Sequence, residues 1–529
     1  MDCYAPLHHH LWPEALRIEV VSHFQIPGFL IVGLPNTEID EARERIRAAI
    51  EASGLEFPKR RIVMNLSPAS VRKSGTGLDF PMALAVLVHH DEELKARSQR
   101  VLAWAELGLD GSLHSSGSLL RVLVLALKES WDHLVLSTED QAEAMMHWPM
   151  LEEAFSEATR TLRLSFVSHL KEAWAVLREN RKSFFSFEKA KMKSEKSHAL
   201  LTLPLSSQRV LETLIAGHHH ALFLGPKGVG KTRLADWLEA LWIEGSTSSR
   251  LERGLAQDLF GEKAVHSAVR RVPSSIRPAG LLGQLRQARL VPGELSRANG
   301  GVLIADEFPE WPRDARECLR EPLESGQVTL VRAEGRTTLP AQILLFATGN
   351  LCPCGEWNGA DDNKPCRCKR HAREQYLRRL SGPLLDRIDL VAKIDRMATH
   401  STGLATQSEI SKIRQRIEES RKKLIQAHGV PSAWIPATEL ENLIQAHPQK
   451  AIFEGLVEAG SLRSRHKVFR VALTLAALDG KNTPEKSHFC EATFYRAERW
   501  LTPAIKPTDL KLHESSYESR STKVPAMPL

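Results

Sequence analysis

The sequence predicts a multidomain α/β protein: an α/β unit first, a phosphate-loop core on a mostly parallel sheet second, and a helical C-terminal part last. Three observations carry this. At 529 residues the chain exceeds what one hydrophobic core organises, so about two to four domains are expected. An apolar run, a Gly-x-x-x-x-Gly-Lys-Thr loop and an amphipathic helix follow one another in "ALFLGPKGVGKTRLADWL". The composition turns basic and Ser-rich at 181–200, and from 405 onward the apolar residues follow a helical period.

In the N-terminal unit, assigned to 1–180, "ALRIEVV" and "FLIVGLP" read as strands. "EIDEARERIRAAIEASG" reads as an amphipathic helix, with Ile39, Ile46, Ala49 and Ile50 on one side and Gly54 at its end. "RRIVMNLSP" is a strand stopped by Pro68, and "DFPMALAVLVHH" a buried helix. These place a compact α/β unit at 14–130, with helices and short strands alternating from about 140 to 180. Residues 181–200 read as a solvated linker. Strand–loop–helix units fill 201–396, helices fill 397–505, and the Pro-, Ser- and Lys-rich 506–529 is expected to be disordered.

With 42% hydrophobic and 26% charged residues and no uninterrupted apolar run of about 18, the chain reads as soluble, without a membrane span. The opening "MDCYAPLHHHLWPEAL" lacks the apolar core of a secretory leader, so a cytoplasmic location is expected. A net charge of +7 permits a polyanionic partner without establishing one. Cys3, Cys318 and Cys490 are scattered and read as inert thiols.

The loop Gly225-Pro226-Lys227-Gly228-Val229-Gly230-Lys231-Thr232 carries the chemistry. Its glycines let backbone N–H groups turn inward around phosphate oxygens, and the following helix adds its positive end. Lys231 is expected at the β/γ-phosphates of ATP and Thr232 on Mg²⁺. Such a loop needs a metal-positioning acid on another strand. "GGVLIADEFPEW", 75 residues after Lys231, offers Asp306 for the Mg²⁺ shell and Glu307 to polarise the attacking water. "AQILLFATGN" ends in Asn350, which is placed to orient that water, although an ordinary turn Asn would look the same. Between them, "REPLESGQVTLVRAEGRTTLPA" reads as a helix and a β-hairpin turning at Glu334-Gly335. Arg387, in "LLDRID", suits a finger that enters a neighbouring subunit's site, or else a surface pair with Asp386 or Asp389. Arg463, at a helix start, suits a contact to nucleotide from a lid.

Directly after Asn350, Cys352-x-Cys354 and Cys366-x-Cys368 are separated by eleven residues. Four thiolates suit tetrahedral Zn²⁺ in a structural site, with no open position. Four reduced thiols or a redox pair remain alternatives, and His371 is a possible substitute ligand.

These stretches together, in this order, resemble the magnesium-chelatase-like AAA+ ATPases of the ComM/YifB type over roughly 15–505. The carriers are "IVGLPNTEIDEARERIRAAIEASGLEFPKRRIVMNLSPASVRKSGTGLDFPMAL", "LFLGPKGVGKT", "VPGELSRANGGVLIADEFPEW", "REPLESGQVTLVRA", "NLCPCG", "CRC", "RRLSGPLLDRIDL" and "SLRSR…RVALTLAALDG". The resemblance implies a Lon-protease-like N-terminal domain without protease activity, an AAA+ core and a helical lid. It implies hexameric rings that act on DNA in branch migration. It puts Asn350 on the first sensor, Arg387 on the finger, Arg463 on the second sensor, and the hairpin around Glu334–Arg336 in the ring pore. The chain departs from the family pattern at Lys227 and Val229, where Pro or Thr is usual. It also lacks the family's histidines in Val272–Pro278, and carries Leu473 and Ala477 in place of Arg and Asp.

Two other functions would share parts of this pattern. A Lon-type protease needs a Ser nucleophile and a Lys base. The nucleophile position falls at or near Gly77, Ser67 and Ser74 sit outside the pattern, and no lysine lies between Arg97 and Leu127. A motor that remodels a protein partner would share the same ATPase residues. Arg332 and Arg336 in the hairpin favour DNA.

Overall fold

The computed structural model describes residues 1–7, 10–33, 37–68, 76–179, 200–262, 268–286, 289–332, 335–357, 366–394, 403–457 and 461–496. The N-terminal part is a seven-stranded sheet of β1 (Asp2–Leu7), β2 (Glu14–His23), β3 (Gly28–Val32), β4 (Arg61–Ser67), β5 (Arg100–Trp104), β8 (His133–Ser137) and β9 (Arg163–Val167). A small hairpin, β6 (Glu106–Leu107) and β7 (Leu113–His114), lies apart from it. The strand order is β3-β4-β2-β1-β5-β8-β9. The helix Asp79–His90 is buried continuously from Asp79 to Val88, which is why its sequence is apolar on all sides. Asp79 enters that core paired with Arg45 at 2.6 Å, and burial pushes its carboxyl up from the usual range.

The sheet extends beyond the predicted 14–130 at both ends. β1 lies at its centre, antiparallel to β2 and parallel to β5. "DCYAPL" carries no strand alternation. Its Pro6 is tolerated because the β5 pairing covers only Asp2 to Tyr4.

The second part contains, in chain order, β10 (Ala221–Leu224), β11 (Val269–Val272), the hairpin β12 (Gly283–Arg286)–β13 (Arg289–Pro292), β14 (Val302–Ala305), the hairpin β15 (Gln327–Arg332)–β16 (Gly335–Pro340), β17 (Leu344–Gly349) and β18 (Leu390–Lys393). Five of these form an all-parallel sheet, ordered β11-β14-β17-β10-β18. A parallel sheet covered on both faces needs apolar residues at every position. Here alternate residues feed two separate cores. Leu222, Leu224, Leu303, Ala305, Leu345 and Ala347 join the core shared with the N-terminal part. Ala221, Phe223, Val302, Ile304, Leu344 and Phe346 join the core shared with the C-terminal helices.

The helix Thr247–Phe260 docks the N-terminal part. The Arg121 amide donates to Asp258 at 3.2 Å, and burial pushes the Asp258 carboxyl up to about 7. On the far side, the helix Gln407–His428 begins at a capping box of Thr406 and Glu409 and ends at Gly429 in the left-handed region. The helix Leu462–Leu478 packs against it, with Leu473 and Ala477 inside the core. Leu200, the last residue of the expected linker, is buried, and its carbonyl accepts from Ala405 at 2.7 Å. The rest of that linker, the expected disordered tail, Ser74 and Glu334 lie outside the described residues. No helix among the described residues is long and apolar enough to cross a membrane.

Candidate active site

The three adjacent strands β14, β17 and β10 run parallel, so their C-terminal ends converge at one rim. Open α/β sheets bind ligands there. β10 leads into the phosphate loop and then the helix Lys231–Leu241. The turn depends on its glycines. Gly228 (φ +77°) and Gly230 (φ +92°) are left-handed, and a Cβ on Gly225 would lie 2.5 Å from the Ile394 carbonyl oxygen. Val229 turns inward and is buried, while Thr232 is exposed on the first turn of the helix.

Lys231 gathers the site. Its Nζ donates to the Gly225 and Pro226 carbonyls at 2.8 and 2.9 Å, and to Asn350 Oδ1 at 2.9 Å. Burial pulls its ammonium down to about 8, against the opposing pull of the Glu307 and Asp306 carboxylates. Phosphate binding requires the charged ammonium. Above pH 8, then, each bound nucleotide must bring a proton with it. ATP affinity is expected to fall by up to about tenfold per pH unit from there toward the ordinary lysine value. Titrating a fluorescent ATP analogue between about pH 7 and about pH 9.5 checks this. A flat profile would contradict the lowered lysine pKa.

Asp306 and Glu307 follow β14. Asp306 Oδ1 accepts from Thr348 Oγ1 at 3.1 Å, and among the described residues its Oδ2 has no hydrogen bond, which suits a metal ligand. The Asp306 carbonyl accepts from Trp311 Nε1 at 3.0 Å. Glu307 has φ 50° and ψ 40°, an unusual backbone for a residue with a side chain. Its amide donates to Thr348 Oγ1 at 3.2 Å. Thr348, a buried residue that sequence reasoning did not single out, therefore ties both acids to the neighbouring strand. Its signal was a hydroxyl in an otherwise apolar strand.

Arg387 and Arg463 lie together elsewhere. Both guanidinium groups pair with the Glu324 carboxylate, Arg463 at 2.9 Å. Arg387 also donates to the Pro383 carbonyl at 2.7 Å. Among the described residues neither arginine bonds to the phosphate loop of its own chain. Glu324 was also missed, since nothing in "REPLESGQ" distinguishes its carboxylate.

The four cysteine sulfurs all lie within 4.8 Å of one another, and exposed His371 is not part of the group. The Sγ–Sγ distances are 3.4 Å for Cys352–Cys354, 3.8 Å for Cys352–Cys366 and 3.7 Å for Cys354–Cys366. A tetrahedron of Zn–S bonds of about 2.3 Å has edges of about 3.8 Å, so the donor set fits.

At Gly77, a Cβ would lie 2.5 to 2.6 Å from Ser116 Oγ and the Trp104 ring, which leaves no room for a serine in this packing.

Comparison with known proteins follows the same division of the chain. Models described as "Subunit ChlI of Mg-chelatase", "Magnesium chelatase, subunit ChlI" and "Magnesium chelatase, subunit ChlI C-terminal" match residues 18–140, 204–402 and 407–496. The chain is 30% identical over 499 residues to the uncharacterized protein YifB of Escherichia coli, covering 91% of this chain and 94% of that one. The same figures hold for the competence protein ComM of Haemophilus influenzae. A partial match, 24% identical over 238 residues, covers 45% of this chain and 26% of the chaperone protein ClpB of Propionibacterium freudenreichii. With its sheet, phosphate loop and acid pair arranged as above, the chain belongs to the magnesium-chelatase-like ComM/YifB family of AAA+ ATPases.

Proposed function

We propose that this protein is an ATP-driven motor that forms a hexameric ring of identical subunits and acts on single-stranded or branched DNA as a helicase or branch-migration factor. The observation that carries the reading is the split of the site. Lys231, Asp306, Glu307 and Asn350 converge at one sheet rim, while Arg387 and Arg463 share Glu324 away from their own loop. Such a site is completed by the arginines of the next subunit.

In this reading the loop amides and Lys231 bind and orient the polyphosphate. Glu307 accepts a proton from the attacking water at its carboxylate, and Asn350 holds that water in line. Thr232 and Asp306 would hold Mg²⁺, which would supply charge neutralisation at the phosphates. Cys352, Cys354, Cys366 and Cys368 would hold Zn²⁺, which would supply a rigid cross-link. Arg387 stabilises the charge that develops in the neighbouring site. The N-terminal part is an inactive Lon-like domain, consistent with the packing around Gly77, and the C-terminal helices are the lid.

DNA is favoured by the net charge of +7, by exposed Arg336 on the β15–β16 hairpin, and by a relative named for competence. Remodelling of a protein partner is the second reading, favoured by the partial likeness to a chaperone. ATP turnover measured with and without forked DNA decides between them. Turnover is expected to rise with DNA and to lose that stimulation as salt is added. Turnover indifferent to DNA at low salt supports the protein-remodelling reading instead. Lys231→Ala should abolish turnover in both cases.

A further inference from the structure

The segment 350–356 touches the phosphate loop at both of its ends. At one end Asn350 accepts from Lys231 at 2.9 Å. At the other, the Gly355 carbonyl accepts from the Lys227 amide at 2.7 Å, and the Glu356 carboxylate pairs with Lys227 Nζ at 2.8 Å. The approach is close: a Cβ on left-handed Gly355 (φ +76°) would lie 3.4 Å from the Lys227 Cβ. Cys352 and Cys354 lie between these two attachments. Cys352 is buried and accepts from the Trp357 amide at 3.3 Å. Cys366 and Cys368 complete the cluster of sulfurs, and Arg373 donates to the Cys368 carbonyl at 3.0 Å.

We propose that the four cysteines form a divalent-metal centre, of the kind that takes Zn²⁺, whose role is to hold the segment 350–356 against the phosphate loop, so that metal occupancy sets nucleotide affinity. The inference rests on reading 225–232 as the nucleotide site. Its physical basis is local. Leu351 and Cys352 anchor the start of the strap in the core, but Pro353 is exposed and Cys354 and Glu356 are half-buried, and metal–thiolate bonds would fix the path there. When the strap is fixed, Gly355 offers its carbonyl to the Lys227 amide and Asn350 is held beside Lys231, so the path of the loop is set before nucleotide arrives and takes over the lysine's contact to Asn350. Without the metal, only weak hydrogen bonds among the thiols join the strap to Cys366, and the contact to Lys227 must be ordered at the expense of binding. Residue 227 can make this contact because, unlike a proline, it keeps an amide hydrogen to donate.

The test uses the full-length protein. Metal content is measured by mass spectrometry, and the thiolate charge-transfer band is recorded after cobalt exchange. Affinity for a fluorescent ATP analogue is then measured before metal release by a mercurial, after it, and after adding zinc back. One metal per chain is expected, with affinity lowered by about tenfold on release and restored on reconstitution. The double variant Cys366→Ser/Cys368→Ser, which alters only the ligands outside the segment 350–356, should reproduce the loss. Glu356→Gln should keep the metal and weaken binding by about two- to threefold, the effect of an exposed ion pair. A chain that takes up neither zinc nor cobalt overturns the metal centre. Unchanged affinity after complete metal release overturns the clamp. A Lys231→Ala protein that binds nucleotide normally would instead refute the nucleotide site itself, so the two failures are distinguishable. If the double cysteine variant fails to fold, the release-and-reconstitution series on the unmutated protein decides alone.

Discussion

Arg387→Ala is expected to lower ATP turnover by about a thousandfold while leaving nucleotide affinity nearly unchanged. The reason is geometric. Arg387 is held by the Pro383 carbonyl and the Glu324 carboxylate, and among the described residues it has no bond to the phosphate loop of its own chain. In the proposed ring, an arginine so placed would stabilise charge in a neighbouring subunit's site. Mixing two inactive proteins checks this. In a ring containing both Arg387→Ala and Lys231→Ala subunits, some interfaces combine an intact loop from the first with an intact arginine from the second. Turnover should return on mixing. Full turnover by Arg387→Ala alone, or no recovery in mixed rings, would sink the assignment.

Glu307→Gln should retain ATP binding and lose between about a hundredfold and about ten-thousandfold in turnover, the range for removal of a positioned base. The amide keeps the size of the side chain and leaves the left-handed backbone at φ 50° undisturbed, so the change isolates the carboxylate. Its amide bond to Thr348 and the turn through Phe308 to Trp311 do not involve the group being altered. Single-turnover hydrolysis and nucleotide titration on one preparation separate the two effects. A variant that fails to bind nucleotide would show that the carboxylate shapes the site, and one that hydrolyses normally would assign the base elsewhere.

The elements read most directly were those whose cause is local. The helix Asp79–His90 and the strand–loop–helix through Ala221 and Leu241 follow from apolar runs and from glycines that alone tolerate positive φ. The β15–β16 hairpin was visible because two strand-like runs flank a Glu-Gly turn signal. β1 was not visible, because its place at the sheet centre comes from partners on both sides and its own six residues carry no alternation. Thr348 and Glu324 were missed for a similar reason. A threonine and a glutamate acquire meaning only from the groups that the fold brings to them.

By itself, then, the sequence determined the phosphate loop, the acid pair beside it and the two cysteine pairs, since each is a short pattern of residue types whose spacing alone limits its chemistry. Only the tertiary structure decided how these parts meet. It carried Asn350 onto Lys231, seated Gly355 and Glu356 on Lys227, and gathered Arg387 and Arg463 on one carboxylate. Those contacts join residues far apart in the chain. They depend on the order in which parallel strands assemble, which pairing and burial on both faces of the sheet decide and no local stretch records.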